Sequence, residues 1–218
     1  DLTLSGNFSV VNGSNVNTNF IVNGNVSASG SISGFSLLYS TGTINLTGSQ
    51  NNINTVSAEK DVTLSGSGAY TTVNSLTNVT MSGGVSAVSV NTNGTTTLNS
   101  SAKVTTVKSI GNVALTGGGA QAASVYTDGN VTMNNGSITS LLMAQGNLTE
   151  ASNGSVANGQ IGGTLTKPSW NNNIHVTVVN GLQVPITPLT ATTIQSTVID
   201  AWPLKSSANL AFDHDASN

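Results

Sequence analysis

Residues 77–82 read TNVTMS, residues 111–116 read GNVALT and residues 129–134 read GNVTMN. Val79, Val113 and Val131 are the central residues of these stretches, and each is followed two positions later by a second apolar residue. The residue between them is small, and the alternation is typical of a half-buried β-strand. Because one such strand recurs at a short, regular interval, the chain is expected to have a repeat architecture.

The same unit can be aligned nine times on its central residue, and successive central residues are 17 or 18 positions apart. That interval is too short and too even for loops joining independent hairpins, and it fits one turn of a coil. The central residues in this alignment are Phe8, Val26, Ile44, Val62, Val79, Thr96, Val113, Val131 and Leu148.

These coils predict an all-β fold, a single-stranded parallel β-helix (β-solenoid) of about nine turns over residues 1–166. Strands of three to five residues, about three per turn, stack at ~4.8 Å into parallel sheets. Gly usually stands two positions before the central residue, where we expect a corner with positive φ. Asn usually stands one position before it, and stacked Asn side chains can form a ladder.

Two residues interrupt the apolar columns. Thr96 occupies a central position, where its hydroxyl must find a backbone partner or cost about 1–3 kcal/mol. Glu150 stands two positions after Leu148, where most coils carry an apolar residue. A carboxylate is unfavourable in an apolar interior, so we expect the stack to open there, with Glu150 turned to solvent rather than buried as a catalytic acid.

The composition changes after residue 166, since all four Pro, both Trp and both His lie in residues 167–218. Alternation over residues 174–178 predicts a strand, and the apolar spacing over residues 194–202 predicts a short helix. An uncapped solenoid exposes a sheet edge, so this segment is interpreted as a cap or a packing arm. Trp170 and Trp202 are expected to anchor it; the alternative is an exposed, sugar-stacking Trp.

The 218-residue chain is poor in charge, with 6% charged residues against about 25% in an average soluble domain. Five Lys and no Arg, at a net charge of -3, cannot form the cationic stripe of a nucleic-acid-binding protein. There is no Cys, and no apolar run reaches the roughly 18–20 residues of a transmembrane segment. Asp1 begins without an export signal, which suggests a processed or trimmed product.

Reactive groups are scarce and dispersed. Only His175 and His214 are available for a Ser–His–carboxylate triad. Asp61 and Asp128 are about four turns apart, or roughly 19 Å, too far for the paired carboxylates of glycoside hydrolysis. Residues 212–215, FDHD, are interpreted as a solvated terminus rather than a metal site. The sequence therefore predicts no catalytic residue, metal site or cofactor, and the protein is not expected to be an enzyme.

The outward positions carry the stronger functional signal. Ser, Thr or Asn predominate one and three positions after each central residue. A flat face of hydroxyls and amides suits an ordered ligand, such as a glycan or a crystalline surface, although an ice-binding face would need more continuous Thr ranks. The simpler alternative is that these groups only solubilise the strand face. The candidate ligand-binding residues are Thr63, Ser65, Thr80, Ser82, Thr97 and Asn99.

Units such as GNVTM and GNLTE, repeated with Gly bends on a charge-poor chain, resemble those of secreted bacterial β-solenoid surface proteins. These are the haemagglutinin-type and pilus-associated adhesins; bactofilin-like coils and phage fibre repeats are less similar. The resemblance covers residues 1–166 and implies a non-catalytic structural or adhesive role, outside the cell or on a bacterial surface. Two alternatives stay open: a self-polymerising filament subunit (pilus, sheath or bactofilin-like), and a carbohydrate-active β-helix enzyme.

Overall fold

The computed structural model describes residues 2–4, 8–9, 19–49 and 51–199. Within these ranges the chain forms parallel strands stacked as a β-solenoid of about nine turns, which confirms the predicted fold class. The elements are β1 (Leu2–Leu4), β2 (Phe8–Ser9), β3 (Asn19–Val22), β4 (Val26–Ala28), β5 (Ile32–Ser40), β6 (Ile44–Leu46), β7 (Asn51–Ala58), β8 (Val62–Leu64), β9 (Ser67–Ser75), β10 (Val79–Met81), β11 (Gly84–Thr92), β12 (Thr96–Asn99), β13 (Lys103–Ser109), β14 (Val113–Thr116), β15 (Gln121–Thr127), β16 (Val131–Asn134), β17 (Ser137–Ala144), β18 (Leu148–Glu150), β19 (Ser155–Ile161), β20 (Leu165–Thr166), β21 (Ile174–Val178) and α1 (Ala191–Ile199).

Each coil contributes one short strand and one long strand to two different sheets. The short strands form a 10-stranded sheet in the order β1-β4-β6-β8-β10-β12-β14-β16-β18-β20. The long strands form an 11-stranded sheet in the order β2-β5-β7-β9-β11-β13-β15-β17-β19-β21, with β3 also paired to β5.

The long strands bend, and this bend supplies the third side of the coil. In β11, Val85, Ala87 and Val90 are buried, whereas Val88 between them is 55% exposed. Every second residue points inward up to Ala87, and after Val88 the pattern resumes one residue later. This shift turns the strand around a corner. The bend therefore directs the Val88 side chain outward.

The inward columns form one continuous apolar interior. Val79, Thr96 and Val113 are paired neighbours in the 10-stranded sheet, and all three are 0% exposed. Leu98 and Leu115, two positions further on, are equally buried and stack in the same way. The predicted stacking of one apolar position per coil is confirmed.

The predicted central residue of the first repeat, Phe8, is wrong. Val26 pairs with Leu2, while Phe8 pairs with Ile32 in the other sheet. The first coil is therefore longer than the 17- or 18-residue interval that fixed the alignment. At the other end, Leu165 pairs with Leu148, so this column continues one coil beyond the nine aligned units.

The position of the left-handed corners also differs from the expectation. In the column two positions before the central residue, Gly24 is the one described residue with positive φ, at 127°. Gly is favoured in this column because the coils approach closely there. An added Cβ at Gly94 would lie 2.2 Å from the carbonyl oxygen of Thr77 in the preceding coil. The left-handed corners follow the short strands, at Gly66, Gly83, Ser100, Gly117 and Asn135.

Thr96 provides a test of the inward column. Its Oγ1 is buried without a hydrogen-bond partner among the described residues. Thr96→Val removes this hydroxyl at nearly constant volume, so we expect the free energy of unfolding to rise by about 1–2 kcal/mol in urea titrations.

A buried Thr with a satisfied hydroxyl is the control for this change. Thr92 is 2% exposed, and its Oγ1 donates to the Thr77 carbonyl and accepts from the Gly94 N–H. Thr92→Val should therefore destabilise the fold. Equal losses in the two variants would contradict the assignment of Thr96 as an unpaired group.

After the last coil, the chain returns along the outside of the rod. The strand expected over residues 174–178 is β21, which pairs with β19 as the last strand of the 11-stranded sheet. Residues 179–199, the C-terminal arm, then pass Asn93, whose side-chain amide exchanges two 2.7 Å hydrogen bonds with the Leu189 backbone. Helix α1 begins after Thr190, whose Oγ1 accepts from the Thr193 N–H.

The apolar side chain of Ile194 anchors α1 on the solenoid. Ile194 is 1% exposed and packs with Leu37 and Tyr39. A nine-residue helix is marginal by itself, so this docking stabilises it. The predicted anchor Trp170 is instead 59% exposed, which corrects that expectation, and Trp202 lies outside the described residues.

Candidate functional site

The structure brings all six candidate residues together on the outer side of three adjacent strands, β8, β10 and β12. Thr80 is paired with Thr63 on one side and with Thr97 on the other. Ser65, Ser82 and Asn99 lie two positions further along the same strands and their ends. We call these two rows the hydroxyl face. Since neighbouring strands lie ~4.8 Å apart, each row repeats at that distance along the rod.

The Thr row is available for binding. Thr63, Thr80 and Thr97 are half-buried, and within the described part of the chain no group hydrogen-bonds to their hydroxyls. Asn99 differs, because its Oδ1 accepts a hydrogen bond from the Thr116 hydroxyl. The row continues, after an interruption at Ala114, with the exposed residues Thr132, Thr149 and Thr166.

An Asn ladder fixes the edge of this face, as predicted. The Oδ1 of Asn78 accepts from the Thr95 N–H at 2.8 Å, and that of Asn130 accepts from the Asn147 N–H at the same distance. Each side chain therefore bonds to the backbone of the following coil. Such bonds hold successive coils in register, which keeps the residues of the Thr row opposite one another.

Asp61 takes the place of Asn in one coil. Its Oδ1 accepts from the Thr77 hydroxyl at 2.6 Å and from the Asn78 N–H at 3.1 Å. The Thr77 hydrogen bond is the main reason that the pKa of Asp61 lies below its ordinary value, against an opposing effect of partial burial. The carboxylate thus performs the same inter-coil role as the Asn side chains.

A second, buried ladder was missed by the sequence analysis. Ser109 Oγ donates to the Gly94 carbonyl, and Thr127 Oγ1 donates to the Gly111 carbonyl, both at 2.6 Å. Both side chains are 0% exposed. The sequence signal for this ladder was a Ser or Thr two positions before the Gly column, in the triplets STG, TNG, SIG and TDG.

Glu150 is buried, contrary to the expectation that it faces solvent. Its side chain is 2% exposed and lies above Met133 in the inward column. Oε1 accepts from the N–H groups of Ser152 and Gly154, both at 2.8 Å, and Oε2 accepts from Asn171 Nδ2 at 2.9 Å. Three N–H donors compensate for the loss of hydration, so the last coils close around the carboxylate instead of opening.

Comparison with protein-family models, with curated proteins and with solved structures found no match. The resemblance to haemagglutinin-type and pilus-associated adhesins therefore depends on the repeat alone. No described helix is both long enough and apolar enough to cross a membrane.

The remaining acidic residues do not form a reactive cluster in the described ranges. No group of three or more His, Asp or Glu residues suited to a metal ion occurs there. Glu59 accepts from the Tyr39 hydroxyl at 2.5 Å and from Gln195 Nε2 at 2.9 Å, which joins α1 to the rod. Burial, and secondly the hydrogen bond to Glu59, raise the pKa of Tyr39. His214 and residues 212–215 lie outside the described ranges.

Proposed function

We propose that this chain is a non-catalytic structural or adhesive protein of the extracellular space or of a bacterial surface, and that its hydroxyl face binds a regular polymer such as a glycan. The observation that carries the proposal is the row of Thr63, Thr80 and Thr97, which are paired in register on adjacent strands and whose hydroxyls have no hydrogen-bond partner among the described residues. A polymer with hydroxyls at regular intervals can satisfy several of them at once, which makes weak individual bonds additive.

The chemistry of the acidic residues supports a role without catalysis. Both oxygens of Glu150 are occupied by N–H groups of its own chain, so this carboxylate is committed to closing the coil. Asp61 is likewise bonded between coils. A carbohydrate-active enzyme would need a pair of carboxylates around a sugar-binding cleft.

Removing hydroxyls without changing shape tests the proposal. The variant Thr63→Val/Thr80→Val/Thr97→Val should reduce binding to insoluble cellulose, chitin or peptidoglycan by at least about tenfold, since it removes three hydrogen bonds worth about 0.5–1.5 kcal/mol each. A control with the same number of changes replaces exposed hydroxyls elsewhere, Thr177→Val/Thr187→Val/Thr192→Val. Wild-type binding by the first variant, or no binding to any of the polymers by the unmodified chain, would contradict the proposal.

One observation favours a second candidate function, a self-polymerising filament subunit. Val178 pairs with the fully buried Ile161, yet it is 52% exposed because it lies on the last strand of the 11-stranded sheet. The interior column thus reaches the end of the rod, where another copy can extend it. Electron microscopy of concentrated protein separates the two candidates: filaments support polymerisation, and dispersed single rods count against it.

A further inference from the structure

A groove of about 420 Å³ crosses the outer side of the 11-stranded sheet, where the long strands bend. Its lining comes from five consecutive strands, β9, β11, β13, β15 and β17. At ~4.8 Å between neighbouring strands, these five span roughly 19 Å along the rod. A groove that long, built from equivalent positions in successive coils, suits an extended chain better than a compact molecule.

The groove has an apolar floor with neutral polar groups beside it. Ala69, Val88 and Ala123 contribute small or exposed apolar surface. At 55% exposure, Val88 is the most accessible valine of β11, whereas Val85 is 1% exposed. Thr105 and Gln121 add a hydroxyl and an amide. An apolar floor with hydrogen-bonding sides matches a sugar chain, whose rings have C–H faces and hydroxyl edges.

The backbone of the groove argues against a peptide strand as the ligand. Each of the five strands already pairs with a neighbour on both sides in the sheet. The pairing skips one residue per strand at the bend (Val88, Thr105 and Ala123), but none of these strands presents a free edge, so β-augmentation is not available here. Recognition must depend on side chains, as it does for a saccharide.

Lys103 supplies the single charge of the lining. Its side chain is exposed, and among the described residues it has neither an ion-pair nor a hydrogen-bond partner. No Asp or Glu lines the groove. An unpaired cation in a neutral groove, on a chain of net charge -3, is complementary to an anionic group on the ligand.

We propose that this groove binds an acidic polysaccharide chain laid along the rod, with Lys103 pairing to a uronic acid carboxylate and Val88 and Ala123 contacting the sugar rings. The inference rests on the proposed function, glycan binding by the rod, and assigns the acidic polymer to a face separate from the hydroxyl face. The two faces belong to different sheets, so each can be altered alone.

Two lysines of one strand provide a matched test. Lys108 lies on β13 with Lys103 and is also exposed, but it does not line the groove. We expect Lys103→Gln to weaken binding of polygalacturonate oligomers by about two- to fivefold, the upper part of the range for one exposed ion pair, and Lys108→Gln by less than about twofold. Binding to neutral β-1,4-glucan oligomers should be the same in both variants. Calorimetric titration measures all four affinities.

A third variant tests the shape of the groove independently of charge. Ala123→Phe fills the groove and should weaken binding to polygalacturonate, with a thermal unfolding midpoint close to the wild-type value to show that the coil is intact. If this midpoint falls sharply, the shorter Ala123→Leu replaces it. Wild-type affinity for polygalacturonate in a folded variant of this kind would overturn the inference.

The remaining outcomes separate the inference from the proposed function. Equal losses in Lys103→Gln and Lys108→Gln, or no polygalacturonate binding by the unmodified chain, would overturn the groove as an acidic-glycan site. If the hydroxyl-face variant still loses binding to the insoluble polymers, the proposed function stands without the groove. If the unmodified chain binds none of the polymers, both fail.

Discussion

Replacing Glu150 by Met is expected to destabilise the rod strongly, although Met is the residue that the neighbouring coil carries at the equivalent position, Met133. The substitution leaves the N–H groups of Ser152 and Gly154 and the Nδ2 of Asn171 without their acceptor. A buried donor left unpaired costs about 1–3 kcal/mol, so the three together should lower the free energy of unfolding by at least about 3 kcal/mol. Urea unfolding followed by circular dichroism measures this loss.

A double-mutant cycle shows whether the loss comes from the Glu150–Asn171 pair. Asn171 is 2% exposed and also donates to the Gly154 carbonyl. In Glu150→Met/Asn171→Leu both partners become apolar, so the combined loss should be smaller than the sum of the two single losses by about 1 kcal/mol or more. Additive losses, or a loss below about 1 kcal/mol for Glu150→Met alone, would show that the pair has no such role.

Gly83→Val is expected to have an effect of similar size, for a different reason. Gly83 has φ 73°, and an added Cβ would lie 2.5 Å from the carbonyl oxygen of Gly66 in the preceding coil. The left-handed backbone costs a residue with a Cβ about 1–2 kcal/mol, and forced overlap adds about 1–3 kcal/mol. We expect the free energy of unfolding to fall by the sum of these terms, with a lower thermal midpoint.

The neighbouring glycine is the control for Gly83→Val. A Cβ at Gly84 would have its nearest contacts at 3.8 Å, an ordinary van der Waals distance. Gly84→Ala should therefore change the free energy of unfolding by less than about 0.5 kcal/mol. If Gly83→Val changed the free energy of unfolding as little as Gly84→Ala, the steric overlap with the Gly66 carbonyl would not limit the residue at position 83.

The fold was predictable because the inward positions repeat with little variation. Val62 and Val79 are one 17-residue interval apart, and Val79 and Val113 are two such intervals apart. A short strand can bury its apolar face only by stacking on equivalent strands. The hydroxyl face followed from the same alignment, since a residue next to an inward position in a strand points outward. Its proposed ligand is a separate question, because no spacing in the sequence identifies a polymer.

The errors arose where one coil differs from the regular interval or where bonding partners are distant in sequence. The long first coil placed Phe8 in the column that belongs to Leu2. Glu150 was assigned to solvent because its charge was visible in the sequence, whereas Asn171, 21 positions later, was not recognisable as its donor. The bend at Val88 depends on a phase shift inside a long strand, which strict alternation cannot reveal.

The C-terminal arm changes how a rod of this kind loses its structure. In a simple stack each coil contacts only its neighbours, so the terminal coils fray one after another. Here Leu189 is bonded to Asn93, and Gln195 to Tyr39, residues 96 and 156 positions away in the chain. Unwinding from the carboxyl end must therefore also break contacts with early coils, which couples the stability of distant coils in a way that stacking between neighbours cannot.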